Sequence, residues 1–90
     1  MKEKIVILGA GESGTGAALL AKSKGYDVFV SDSGVIKDKY RDELSAGGVP
    51  FEEGTHTDDL VLDAKLIIKS PGIPEKAPIM KKVASLNIPV

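Results

Sequence analysis

The chain has 90 residues, 12 Lys+Arg against 13 Asp+Glu, a formal net charge of -1, 42% hydrophobic residues and no cysteine. That length allows one small domain, the even charge gives no footprint for nucleic acid, and the missing cysteines exclude disulfides, thiolate metal sites and thiol nucleophiles. No apolar run approaches the roughly 20 residues of a membrane span, and Ile5 to Leu8 is too short for a signal-peptide core, so a cytoplasmic address with no membrane partner is expected.

Lys4 to Leu8 is an apolar run of strand length, uninterrupted as in strands buried on both faces of a parallel sheet. It runs into Gly9-Ala10-Gly11-Glu12-Ser13-Gly14, a G-x-G-x-x-G spacing, and a helix is predicted from Thr15 to Lys24. Ala17, Ala18, Leu20 and Ala21 suit close packing on a sheet, Lys22 and Lys24 sit at the negative end of the helix, and Gly25 is placed for a left-handed cap. Asp27 to Ser31 reads as a second strand that ends in Asp32-Ser33-Gly34. From Lys37 to Ala46 the charges alternate, with Tyr40 and Leu44 a helical turn apart, and Gly47-Gly48 stops this mostly solvated helix. Val49 to Glu52 is a short strand whose Pro50 suggests a sheet edge. Thr55 or Thr57 is a candidate cap for a brief helix to about Leu62, with Asp58 and Asp59 in its first turn. Ala64 to Lys69 is the fourth strand, broken at its carboxyl end by Ser70-Pro71-Gly72-Ile73-Pro74. A last helix runs from Pro78 to Leu86 with Ile79, Val83 and Leu86 on one face, and Asn87 ends it. Ile88-Pro89-Val90 reads as the start of another strand, so a piece of a longer protein is expected. The alternation predicts an α/β fold, a Rossmann-like parallel sheet of about five strands with helices on both faces.

In such sheets ligands bind beyond the carboxyl ends of the strands, and three special segments land there: Gly9 to Gly14, Asp32 to Gly34 and Ser70 to Pro74. In the first, Gly9 permits a tight exit from the strand, Gly11 lets an anion approach the backbone, and Gly14 lets the helix lie close to the sheet. The N–H groups of the first helical turn and the helix dipole then favour a phosphate. The carboxylate of Glu12 would repel one, so either its side chain points away while its N–H contributes, or the loop holds something less charged. Ser13 supplies a hydroxyl donor or is simply a residue suited to a helix start. Asp32 is placed to accept from a ribose hydroxyl or a base N–H, although Asp-Ser-Gly is equally good turn chemistry. Ser70 brings a hydroxyl and a closely approaching backbone, or belongs to a rigid loop before a helix. His56, without metal-ligand partners at useful spacing, reads as a surface loop residue, and Tyr26, Phe29 and Phe51 as packing residues. No nucleophile–base pair or carboxylate dyad is visible.

With these residues in place, the chain resembles the N-terminal domain of the Mur ligase family, closest to the members that add D-glutamate. The likeness runs from Lys4-Ile5-Val6-Ile7-Leu8-Gly9 through Ala64-Lys65-Leu66-Ile67-Ile68-Lys69-Ser70-Pro71-Gly72-Ile73 to Asn87-Ile88-Pro89-Val90, and Ser-Pro-Gly-Ile after a buried strand is its discriminating motif. The resemblance implies a domain that holds the UDP end of UDP-MurNAc-L-Ala. Gly11, Glu12, Ser13 and Gly14 would then contact the diphosphate, Asp32, Ser33 and Gly34 would lie at the uracil, and Ser70, Pro71 and Gly72 would border the uridine. Similar enzymes often carry arginine where this chain has Gly34. For a whole enzyme the resemblance implies ATP- and Mg²⁺-dependent amide formation through an acyl phosphate, with central and C-terminal domains supplying the chemistry. No G-x-x-x-x-G-K-[ST] loop is present, so these residues are expected to be inactive alone and to bind neither ATP nor Mg²⁺. The competing reading is an NAD(P)-binding Rossmann domain of a dehydrogenase or regulatory module, whose fingerprint Gly9, Gly11, Gly14 and Asp32 also satisfy. A stand-alone interaction domain is the non-enzymatic option.

Overall fold

The computed structural model describes residues 3–70, 73 and 77–90. Four strands, β1 (Lys4–Leu8), β2 (Asp27–Asp32), β3 (Phe51–Glu53) and β4 (Leu66–Lys69), form one sheet in the order β3-β2-β1-β4. Every neighbouring pair is parallel, with Ile5 opposite Val28 and Leu66, and Val30 opposite Phe51. The helices are α1 (Glu12–Ser23), α2 (Asp38–Ala46), α3 (Asp58–Val61) and α4 (Pro78–Ser85).

Side chains alternate across the central strand, and the alternation divides the core in two. Ile5 and Ile7, with Val28 and Val30, face Ala18 and Ala21 of α1 and Leu44 of α2. Val6 and Leu8, with Ile67, face Val61 of α3 and Ile79, Met80 and Val83 of α4. Val6, Ile7 and Leu8 are fully buried, which accounts for the lack of any polar residue in that run. Each such side chain contributes about 1.5–3 kcal/mol of transfer free energy.

The sheet has four strands among the described residues rather than about five. Beside β4 the Ile67 N–H donates to the Pro89 carbonyl at 2.8 Å, so the last residues lie along the sheet edge with a single ladder bond in place. Helix α1 begins at Glu12, three residues before the predicted start, because Gly11 in extended conformation caps it and the Thr15 N–H donates to the Gly11 carbonyl at 2.9 Å. The Thr57 hydroxyl does not cap α3 but donates to Glu52 Oε1 at 2.5 Å. Tyr26, expected to pack, is exposed. Other expectations hold: Gly25 and Asn87 adopt left-handed φ of 91° and 57° behind their helices, and β3, preceded by Pro50, is an edge strand.

Candidate functional site

The strand order places the switch point between β1 and β4, since the chain leaves β1 to build β2 and β3 on one side and returns to build β4 on the other. The loops after β1 and β4 therefore face each other at the carboxyl edge. Gly9, at φ 99°, turns the chain out of β1, and a Cβ there would stand 2.6 Å from the Ser70 Cβ. The Ser70 N–H donates to the Leu8 carbonyl at 2.9 Å, so the β4 loop is seated on the glycine turn. From the other side the Gly9 N–H donates to the Ser31 carbonyl at 2.9 Å. Asp32 then joins two loops through one carboxylate: Oδ2 accepts the Ala10 N–H at 2.9 Å and Oδ1 accepts the Gly34 N–H at 2.8 Å. The glycine loop, the Asp32–Gly34 turn and Ser70 thus converge at one rim.

Gly14 is where α1 comes down on the sheet, for a Cβ there would lie 1.9 Å from the Gly9 carbonyl oxygen. The first helical turn is consequently held against the strand exit, with Thr15 buried and its hydroxyl donating to the Ala10 carbonyl at 3.3 Å. Gly11 faces open space, with nothing within 4 Å of an added Cβ. Ser13 and Glu12 are exposed on this turn, where the carboxylate of Glu12 is favoured by the helix dipole.

Two clefts flank the Asp32–Gly34 turn. The smaller, of about 260 Å³, is lined by Ala10, Gly11, Glu12 and Asp32 on one side and Val35, Ile36, Lys37 and Tyr40 on the other. Glu53 fixes that second wall by accepting the Ile36 N–H at 2.9 Å and pairing with Arg41 at 3.0 Å. The larger, of about 400 Å³, opens on the α3/α4 side of the sheet between Ser33, Thr55 and His56 and the residues Ile73, Ala77 and Pro78. Asp58 and Lys82, paired at 2.6 Å, close one end of it. Ser70 is half-buried and accepts the Ile73 N–H at 3.1 Å through its carbonyl, while Lys69 Nζ donates to the Ile73 carbonyl at 3.0 Å. Pro71 and Gly72 lie outside the described residues.

His56 departs from its expected place as a surface loop residue. It is half-buried, and its Nδ1 lies 2.7 Å from the hydroxyl of Ser31, a residue with no solvent exposure. Ser31 and Glu52 are register partners on β2 and β3, and the Ser31 hydroxyl reaches Glu52 Oε2 at 2.8 Å. Burial alone would push the Glu52 carboxyl up. Hydrogen bonds from the Thr57 hydroxyl and N–H and from Ser31, with the charge of His56, outweigh it and hold the carboxyl below its ordinary value. Sequence reasoning missed this cluster because it depends on a register between strands. The one available signal was a serine at the end of an otherwise apolar strand.

The comparisons with known proteins bear on this rim. The family described as MurD N-terminal domain matches residues 4–79. A UDP-N-acetylmuramoylalanine--D-glutamate ligase from Cytophaga hutchinsonii is 60% identical over 90 residues, which is 100% of this chain and 20% of that protein. A ligase of the same description from Porphyromonas gingivalis (strain W83) is 57% identical over 88 residues, 98% of this chain and 20% of its own length. The chain therefore spans about a fifth of the length of these relatives. Among solved structures, the UDP-N-acetylmuramate:L-alanyl-gamma-D-glutamyl-meso-diaminopimelate ligase from Neisseria meningitides superposes with a TM-score of 0.83 at 22% identity, over 99% of this chain and 28% of that one. A ferredoxin reductase from Rhodopseudomonas palustris superposes with a TM-score of 0.58 at 20% identity, over the same 99% and 28%. At such identities the two structures speak for the fold alone. The family match, by contrast, runs from β1 into α4 and takes in all three rim segments, and the identity to the ligases holds along the whole sequence, so this chain belongs to the MurD N-terminal domain family.

Proposed function

We propose that residues 1–90 form a single substrate-binding domain that holds the UDP end of UDP-MurNAc-L-Ala within a longer, multidomain, cytoplasmic ligase that adds D-glutamate to peptidoglycan precursors. The observation that carries the reading is the convergence of the glycine loop, the Asp32–Gly34 turn and Ser70 at the switch point, with Gly11 open to the smaller cleft. In this reading the backbone of Gly11, Glu12, Ser13 and Gly14 takes the diphosphate, because donors at a helix start bind anions without a basic side chain. Asp32, Ser33 and Gly34 lie at the uracil, and Ser70, Pro71 and Gly72 border the uridine. ATP would phosphorylate the substrate carboxylate and the amine of D-glutamate would displace the phosphate, with Mg²⁺ neutralising charge on the transferring group. The residues here do not fit that machinery: the sequence has no phosphate loop ending in Gly-Lys, and among the described residues no group of carboxylates and histidines is arranged for a metal ion. No step of the reaction is assigned to them, and the central and C-terminal domains of the ligase are its proposed source. Among the described residues no helix is long and apolar enough to cross a membrane.

The test is titration of the ¹⁵N-labelled protein with UDP, UDP-MurNAc-L-Ala, NAD and NADP, repeated on Gly11→Ala. Gly11 has φ -80° and free space around it, so alanine leaves the fold intact while its methyl obstructs the anion. The expected result is a response of the rim amides to the uridine ligands that Gly11→Ala weakens without lowering the melting temperature. Tight NAD binding with no response to either uridine ligand refutes the proposal.

A further inference from the structure

His56 is the one histidine in the sequence, and its ring is held from behind. The buried Ser31 hydroxyl lies 2.8 Å from Glu52 Oε2, 3.3 Å from the Thr55 carbonyl and 2.7 Å from His56 Nδ1. A hydroxyl has one proton to donate, and an ionised carboxylate and a carbonyl can only accept. The proton of Ser31 therefore goes to Glu52, the nearer and charged acceptor. The remaining short contact has to be Nδ1–H of His56 donating to the Ser31 oxygen. In the neutral ring this leaves Nε2 as a lone-pair acceptor, on the edge opposite buried Ser31, in a residue that lines the 400 Å³ cleft. Two other charged groups of that cleft, Asp58 and Lys82, are paired with each other, and Glu52 is occupied by Ser31 and Thr57.

We propose that His56 is a specificity residue for the nucleoside end of the ligand, its Nε2 accepting a hydrogen bond from the imide N–H of uracil or from a ribose hydroxyl, with Ser31 and Glu52 as the positioning residues that fix its tautomer. This rests on the UDP-binding reading of the rim and adds a residue on the far wall of the larger cleft. It also accounts for a polar Ser31 and Glu52 beneath a cleft whose opposite wall is Ile73, Ala77 and Pro78.

The tautomer can be read directly by long-range ¹H–¹⁵N correlation of the imidazole at pH 8. The expected ligand-free state is Nδ1–H, and UDP is expected to shift Nε2. His56→Asn keeps a donor toward Ser31 and removes the outer nitrogen, and should weaken UDP about tenfold, the equivalent of one hydrogen bond. Glu52→Gln gives Ser31 a neighbour able to donate, which frees its proton for Nδ1 and moves the ring toward Nε2–H. UDP should then bind more weakly although no cleft atom of His56 has been removed. Loss of binding by N3-methyl-UDP assigns the contact to the base, and loss by 2′-deoxy-UDP assigns it to the ribose. An Nε2–H tautomer in the free protein overturns the inference, as does UDP that moves the amides of Gly11 to Gly14 while His56→Asn binds unchanged. If no amide responds to UDP although the ring is Nδ1–H, the UDP-binding reading fails and the inference with it.

Discussion

Gly14 and Gly16 lie two residues apart on α1 and should answer the same substitution with opposite signs. An added Cβ at Gly14 would stand 1.9 Å from the Gly9 carbonyl oxygen and 3.0 Å from its carbon, whereas at Gly16 nothing lies within 4 Å. Gly9 has little freedom to yield, being held at φ 99° with its N–H bonded to the Ser31 carbonyl at 2.9 Å. Relief of the clash requires α1 to lift from β1 by about 1.5 Å to reach the ordinary contact distance of 3.4 Å, and overpacking of a dense interior costs about 1–3 kcal/mol or more. The helix itself prefers alanine to glycine by about 1 kcal/mol at either position. A 1.9 Å approach to backbone belongs at the upper end of that range, so Gly14→Ala should lose about 2 kcal/mol net, about 3 less about 1, and Gly16→Ala should gain up to about 1 kcal/mol. For a domain of this size each kcal/mol moves the melting temperature by about 4–8 °C, so the two variants should fall on either side of the parent, well separated by circular dichroism. Gly14→Ala melting at or above the parent would refute the claim that α1 rests on the Gly9 carbonyl, and with it the placing of the first-turn N–H groups at the rim.

Asp32→Ala leaves the part-buried Ala10 N–H and the Gly34 N–H without their acceptor. It should cost about 1–3 kcal/mol in urea unfolding and increase exchange of the Ala10 amide. Because the Glu52 carboxyl is held below its ordinary value, the stability it contributes is present at neutral pH and is lost as the pH falls below the ordinary value and through the folded one. Glu52→Gln should accordingly flatten the acid limb of stability at pH below the ordinary carboxylate range, and an unchanged limb refutes the assignment.

The parts of this fold that could be read from sequence are those set by local rules. Ile5 to Leu8 had to be a doubly buried strand because no residue in it tolerates water, and Gly25 and Asn87 ended helices because those types accept a left-handed backbone. The start of α1 is not legible in the sequence because the three glycines of Gly9 to Gly14 are poor helix formers, whereas the close seat of Gly14 on Gly9 is a tertiary contact that fixes the first turn. His56 was out of reach for a related reason. Its partners Ser31 and Glu52 are 25 and 4 positions away and become neighbours only once β2 and β3 pair.

Asp32 shows why spacing alone left uridine and nicotinamide ligands open. Both of its oxygens are already used to accept backbone N–H groups, one from the glycine loop and one from its own turn. An acid after the second strand therefore shapes the rim before it touches any ligand, and a fold that carries either nucleotide gains the same rigidity from it. Each oxygen keeps a second acceptor direction, so a ribose or a base N–H adds to this bonding without displacing it. What separates the possibilities has to come from the segment that closes the switch point from the other side. There Ser70 packs on Gly9 so closely that Gly9 has no room for a side chain. The glycine turn and Ser70 are consequently one structural unit, and a change at Ser70 reaches that turn through the backbone.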